Sequence, residues 1–234
     1  MLYENYEQVV ANVKKACERS GRNFQDITII AVSKTKPLSD VEELLSHGVM
    51  EFGENKVQEM VDKYEHVSKP VHWHLIGHLQ TNKVKYIVDK ACLIHSVDSV
   101  HLAKEIEKEA AKKGVVAKVL LEVNIAQEET KFGIREDEVY ALIDAIKDMP
   151  HVHVMGLMTI APFVENPEEN REVFRTLKKL SVDISAKNIN NVNMSVLSMG
   201  MTGDYQVAVQ EGSTMVRVGT GIFGERNYAT RQED

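Results

Sequence analysis

The 234-residue chain has no apolar run approaching the roughly 18 residues of a bilayer-spanning helix, which excludes a helical integral membrane protein. Cysteine is scarce. Cys17 and Cys92 fit no metal-ligand spacing and no disulfide framework, so a reducing cytoplasm is the expected compartment. Five prolines and thirteen glycines are scattered rather than clustered, and no low-complexity linker divides the sequence. The formal charge is −7 with lysines and acids interspersed, so no basic stripe offers itself to nucleic acid. The N-terminal MLYENYEQVVANVKKA is amphipathic and carries acids, unlike a signal or transit peptide. A glycine-rich GxGxxG turn is missing too. The position after the first strand candidate reads SKTKPLS, which disfavours an open dinucleotide-binding sheet.

What is present is ordinary soluble globular composition, 43% hydrophobic and 27% charged. A unit recurs in it: a short β-branched apolar run, a turn, then a helical pattern. The strand candidates are 27–33, 50–53, 72–76, 93–97, 117–124, 153–160, 193–198 and 215–219. Ser39-x-x-Glu42 reads as a capping box opening a helix that Gly48 ends, and Ser99 is placed to cap a helix ending at Gly114. Thr202 precedes the helical DYQVAVQE, which ends at Gly212. A first helix, roughly 6–19, has no strand of its own. Strict alternation requires crossover connections and a parallel sheet. Dividing 234 residues by eight gives about 29 per unit, close to the roughly 30 of a minimal βα unit. The expected fold is therefore α/β, a closed (β/α)8 TIM barrel forming a single domain over 1–234, with an extra N-terminal helix.

Period-two alternation orients two strands. In KVLLEVN, Val119, Leu121 and Val123 share the face expected under helices, leaving Glu122 and Asn124 in the lumen near its C-terminal mouth. In MVRVG, Val216 and Val218 point outward and Arg217 inward. Lys34 is in phase with Ile30 and Val32 and emerges at the end of strand one. The residues alone leave two readings of it open: a solvated loop lysine, or an amine nucleophile whose pKa is lowered by its surroundings. The loops after strands seven and eight, Ser198-Met-Gly-Met-Thr202 and Gly219-Thr220-Gly221, combine glycines, hydroxyls and a following helix. They read either as turn and cap residues or as a phosphate cup at the place where barrels often bind phosphate. A lysine, an inward arginine and such a cup at one mouth suggest pyridoxal 5′-phosphate (PLP).

The motifs AVSKTKP (31–37), FGEN (52–55), VQE (57–59), HLIGHLQTNK (74–83), GLM (156–158), LSMGMTGD (197–204) and GSTMVRVGTGIFGER (212–226) resemble the YggS/PROSC family of pyridoxal phosphate homeostasis proteins. The resemblance covers nearly the whole chain in order. That family is similar to the barrel domain of alanine racemase, the fold-type III group. The resemblance implies PLP held as a Schiff base (aldimine) on Lys34, with Arg217 facing the pyridine nitrogen. It implies Ser198, Gly200, Gly219 and Thr220 around the phosphate, and Asn55, His78 and Met158 lining the ring pocket. Thr202 stands where the family's loop usually has serine, and the hydroxyl is kept. Lys36 shares the phase of Lys34, and the motif alone prefers Lys34.

His72-Trp-His74 and His151-Val-His153 each place imidazoles on one strand face, but at strand starts, opposite the expected chemistry, so no metal site is expected. Cys92 reads as a buried small hydrophobe, and the acidic run at 137–140 as a solvated helix face. Two functions compete. One is a cytoplasmic, monomeric PLP binder that stores cofactor or delivers it to PLP-dependent apoenzymes, with little or no turnover. The other is a PLP-dependent amino-acid racemase or decarboxylase. Racemisation needs an acid/base on each cofactor face, and alanine racemases supply the second from a C-terminal β-domain. The chain ends about a dozen residues after strand eight, so the binder is expected.

Overall fold

Each apolar run of the sequence becomes a strand of one closed parallel barrel, ordered β1 to β8. The computed structural model describes residues 1–128 and 130–225; Arg226, the last residue of the final motif, lies outside the described residues. The strands are β1 Thr28–Val32, β2 Glu51–Glu54, β3 His72–Leu75, β4 Ala91–Val97, β5 Ala117–Glu122, β6 Val152–Met158, β7 Val192–Met201 and β8 Met215–Val218. The described helices are α1 Leu2–Ser20, α2 Leu38–Ser46, α3 Val57–His66, α4 Val84–Ile87, α5 Val100–Lys113, α6 Val139–Ile146, α7 Arg171–Ser185, α8 Tyr205–Gln210 and α9 Thr220–Phe223. β8 closes on β1 with Ile30 opposite Arg217 and Ala31 opposite Val218.

The main apolar layer lies between the barrel wall and the helices and includes Ile29, Ala31, Val119, Leu121, Val216 and Val218. Burying such side chains contributes roughly 1.5–3 kcal/mol each. Among the described residues the lumen holds two small apolar groups, Ile30, Val32 and Ile76 on one side and Leu93, Leu120 and Met158 on the other. Alternation along β1, β5 and β8 therefore sorts side chains as the sequence predicts. The rest of the lumen includes buried polar groups, among them His74, His95, Glu122, Ser198 and Arg217.

Local signals hold unevenly. Ser99 caps α5 by accepting from Leu102 N at 3.2 Å, and Gly114 ends the helix in the left-handed region, φ 65°. The Ser39/Glu42 capping box does not form. Pro37, φ −67°, occupies the N-cap and Ser39 falls inside the first turn. Glu42 instead accepts from Ser68 N at 2.7 Å and Ser68 Oγ at 2.6 Å. The N-cap of α8 is Asp204. β7 runs on to Met201, beyond the expected 198, because its pairing with β8 slips between Ser198 and Met201. Gly200 makes this possible. Its φ is 95°, and a Cβ there would stand 2.6 Å from Ala208 Cβ. Helix α1 packs on α8 and α9, with Asn5 Nδ2 donating to Ile222 O at 2.9 Å and Asn12 Nδ2 to Tyr205 Oη at 3.0 Å.

Candidate functional site

Parallel strands deliver their C-terminal ends to one mouth, and β7, β8 and β1 are consecutive around the wall. Lys34 therefore follows β1 directly beside the Gly219-Thr220 turn that follows β8. Lys34 is half-buried. Lys36 is set apart from it by its contacts: its Nζ donates to Phe223 O at 2.8 Å, closing the end of α9.

An anchor that sequence reasoning missed holds the backbone on either side of Lys34. On the outer face of the wall, Lys63 of α3 is buried and donates to Ser33 O at 2.8 Å, Glu54 Oε1 at 2.7 Å and Glu59 Oε1 at 3.0 Å. Ser33 Oγ donates to the same Glu54 oxygen at 2.6 Å. Thr35 N donates to Glu59 Oε1 at 2.6 Å, which holds a β-branched residue at φ 64°. That backbone conformation costs about 1–3 kcal/mol and persists only where its surroundings enforce it. Burial pushes the Glu54 carboxyl above its ordinary value, and Lys63 and Ser33 oppose the shift. The available sequence signal was the i,i+4 pair Glu59/Lys63 following the motif acid Glu54.

Across the mouth, Gly219 is the N-cap of α9, and Thr202 Oγ1 accepts from Gly221 N at 3.3 Å, tying the two loops together. Thr220 is exposed and Thr202 half-buried, with glycine backbone between them. Thr202, Gly219 and Thr220 thus share one rim, while Gly200 is buried against Tyr205 and Ala208 of α8. The Ser198 hydroxyl is not on the rim. It lies fully buried in the lumen, accepting from Arg217 Nη1 at 2.6 Å and bonded to His95 Nδ1 at 2.9 Å. Arg217 Nη2 donates to Thr159 O at 2.9 Å. Among the described residues no carboxylate lies within ion-pair distance of this guanidinium. Burial draws its pKa down to about 10, so it stays charged at neutral pH.

Asn55, His78 and Met158 stand at the ends of β2, β3 and β6. Met158 is fully buried in the lumen; Asn55 and His78 border a cleft of about 170 Å³ with Gln58 and Lys83. His78 stacks on Phe132, ring centroids 3.9 Å apart, and lies 3.6 Å from Asp98. Burial, reinforced by Asp98 and opposed by Arg217, pushes the Glu122 carboxyl up to about 7. Glu122 was expected in the lumen; Asp98 and Phe132 were not singled out.

At the opposite mouth, Glu51 accepts from His72 Nδ1 at 2.6 Å and from His74 Nε2 at 2.7 Å. Glu51, His74 and Cys92 each bring a ligand atom within 4.8 Å of the others. Both carboxylate oxygens already accept imidazole N–H groups. Burial, with Glu51 adding to it, pushes the Cys92 thiol to about 12, so it keeps its proton. Cys92 is half-buried rather than buried, and His151 is taken up by Glu107 at 2.7 Å. In the acidic run, Arg135 N donates to Glu138 Oε2 at 3.0 Å, so Glu138 closes a helical turn rather than only facing solvent.

A primary amine, a cationic donor with no described carboxylate partner and a rim of glycine backbone and hydroxyls suit a ligand bearing a carbonyl, an acceptor atom and a phosphate. Together with the closed eight-stranded barrel, they define the alanine-racemase-like class of barrel protein. The chain belongs to the family described as alanine racemase, N-terminal domain, whose model matches residues 5–227. It is 45% identical over 226 residues to a pyridoxal phosphate homeostasis protein of Aquifex aeolicus, covering 96% of this chain and 98% of that one. PipY of Synechococcus elongatus PCC7942, solved with PLP bound, is similar at 30% identity and a TM-score of 0.80, over 91% of this chain and 100% of that one. An alanine racemase of Clostridium difficile 630 shares the fold at 15% identity and a TM-score of 0.76, over 96% of this chain and 59% of that one.

Proposed function

We propose that this chain binds pyridoxal 5′-phosphate at the C-terminal mouth, covalently on Lys34, and serves to hold and supply the cofactor with little or no turnover. The observation that carries this reading is the adjacency of Lys34, Arg217 and the Gly219-Thr220 rim on neighbouring strands. The PLP-bound PipY and the homeostasis relatives support it. When bound, PLP supplies an aldehyde that condenses with a primary amine and a ring that withdraws electrons.

This chain's own groups do the rest. Lys34 Nζ is the amine. Gly200, Thr202, Gly219 and Thr220 hold the phosphate, and Asn55, His78 and Met158 border the ring. Arg217 meets the pyridine nitrogen as a donor and keeps that nitrogen unprotonated, which weakens the ring as an electron sink and limits carbanion chemistry. Ser198 takes a different part from the one expected: its hydroxyl braces Arg217 rather than the phosphate. PLP-dependent apoenzymes are the proposed recipients, with the protein acting as a single-domain monomer in the cytoplasm. Among the described residues no helix is long and apolar enough to cross a membrane.

The test is borohydride reduction of purified, PLP-loaded protein followed by peptide mapping, with a racemisation assay on the same preparation. The expected result is label on Lys34 and no appreciable racemisation of L- or D-amino acids. A protein that cannot be loaded with PLP overturns the reading, and sustained Lys34-dependent racemisation makes it an enzyme.

A further inference from the structure

Five residues on five strands form one unbroken line through the lumen. Arg217 Nη1 lies 2.6 Å from Ser198 Oγ, which lies 2.9 Å from His95 Nδ1. His95 Nε2 lies 3.0 Å from His74 Nδ1, and His74 Nε2 lies 2.7 Å from Glu51 Oε2. The line runs from Glu51, the first residue of β2, through His74 within β3 to the guanidinium inside β8.

The two termini of the line, with one proton on each imidazole, fix the direction of every bond in it. Guanidinium only donates and a carboxylate only accepts. Glu51 is a carboxylate: burial raises it, but the bonds from His74 and His72 outweigh burial and leave it below its ordinary value. His74 therefore spends its Nε2 proton on Glu51. With that as its one proton it has only an acceptor left at Nδ1, and His95 donates from Nε2. Burial, with His74 and Arg217 adding to it, holds His95 well below its ordinary pKa and hence neutral. Its Nδ1 is then an acceptor, and the Ser198 hydroxyl proton has one place to go. Ser198 Oγ in turn accepts from Arg217. Every link carries one proton, and all point from Arg217 to Glu51.

We propose that Ser198, His95, His74 and Glu51 are positioning residues that lock Arg217 in place through a hydrogen-bond chain of single sense, with both imidazoles in the Nε2–H form. Arginine does not give up its proton, so the chain is closed to proton transfer at the cofactor end. Its work is to fix the rotor of a serine hydroxyl and, through it, the plane of the guanidinium. That Arg217 meets the ring of PLP rests on the function proposed above; the direction of the chain does not.

The test has one arm for each claim. In protein free of PLP, long-range proton–nitrogen NMR of the imidazoles is expected to show Nε2 protonated and Nδ1 unprotonated for both His74 and His95. A protonated Nδ1 on His95 overturns the chain. In the second arm, His95→Leu is expected to bind PLP about tenfold more weakly, the scale of one hydrogen bond lost from the chain that holds Arg217. It should also shift the absorbance band of the bound cofactor. His95→Gln, which retains one donor and one acceptor, is expected to restore both. Wild-type affinity and band in folded His95→Leu overturn the positioning role. If His95→Leu does not fold, Glu51→Gln applies the test from the half-exposed end. An amide donates as well as accepts, so both senses are expected to coexist, and wild-type imidazole signals overturn the proposal. Wild-type protein that takes up no PLP while keeping the expected NMR pattern refutes the function alone.

Discussion

At the N-terminal mouth of the barrel, side chains satisfy one another: Glu51 accepts from two imidazoles and the Cys92 thiol holds its proton. At the C-terminal mouth the rim is glycine backbone and hydroxyl, Arg217 has no carboxylate partner among the described residues, and Glu122 titrates near neutrality, at about 7. The same parallel sheet generates both ends. The difference lies in how the chain enters and leaves each strand. Strand starts receive chain from helices on the outer layer, so their inward side chains can pair across neighbouring strands. Strand ends feed turns, which bring backbone donors, hydroxyls and a lysine to one rim.

The contrast can be broken most sharply at Lys34. Lys34→Ala is expected to abolish reductive trapping of PLP entirely while the circular dichroism spectrum and unfolding midpoint stay near wild type; an unfolded variant would mean the lysine belongs to the core. Next in size is Lys63→Met, which removes one partner of a buried pair (side chains 5% and 0% exposed) and should cost about 3–5 kcal/mol in urea unfolding. A cost below about 1 kcal/mol would show that the anchor behind Lys34 is not structural.

Glu122→Gln tests the ligand-facing end by pH. The folded-state pKa of about 7 lies above the ordinary unfolded value near 4.3, so the folded protein holds this proton more tightly. Stability from this group is full below about pH 4 and declines by about 3 kcal/mol as pH rises to about 7. The Gln variant should lack that decline, measured as the difference between the two proteins' unfolding curves at the two pH values. Smallest is Ser99→Ala, which removes a helix cap remote from both mouths and should cost about 1 kcal/mol without changing PLP uptake. A change in uptake would show that the outer layer and the mouth are not separable.

The barrel was legible because its information is local and periodic. Alternation in KVLLEVN and MVRVG sorts Glu122 and Arg217 inward from five to seven residues of sequence, and glycine with hydroxyl after β7 and β8 marks the rim. What stayed hidden depends on pairings across the chain. Glu42 satisfies Ser68 instead of its own helix, and Lys63 reaches back to Ser33 and Glu54. Ser198 shows the limit most clearly. Its motif places it in a phosphate loop, yet with Leu197 and Met199 in the outer layer its hydroxyl turns inward to Arg217 and His95. No window of local sequence contains Ser198, Arg217 and His95 together.

The closure of β8 on β1 has a consequence for synthesis. Lys34 leaves the ribosome early, whereas the turn that completes its surroundings comes only after Met215–Val218. Helix α1, the first element made, meets α2 early but finds its larger partners in α8 and α9. Contacts of such long sequence separation form late in folding. A nascent chain therefore carries Lys34 through nearly the whole of translation before the β8 side of its mouth exists.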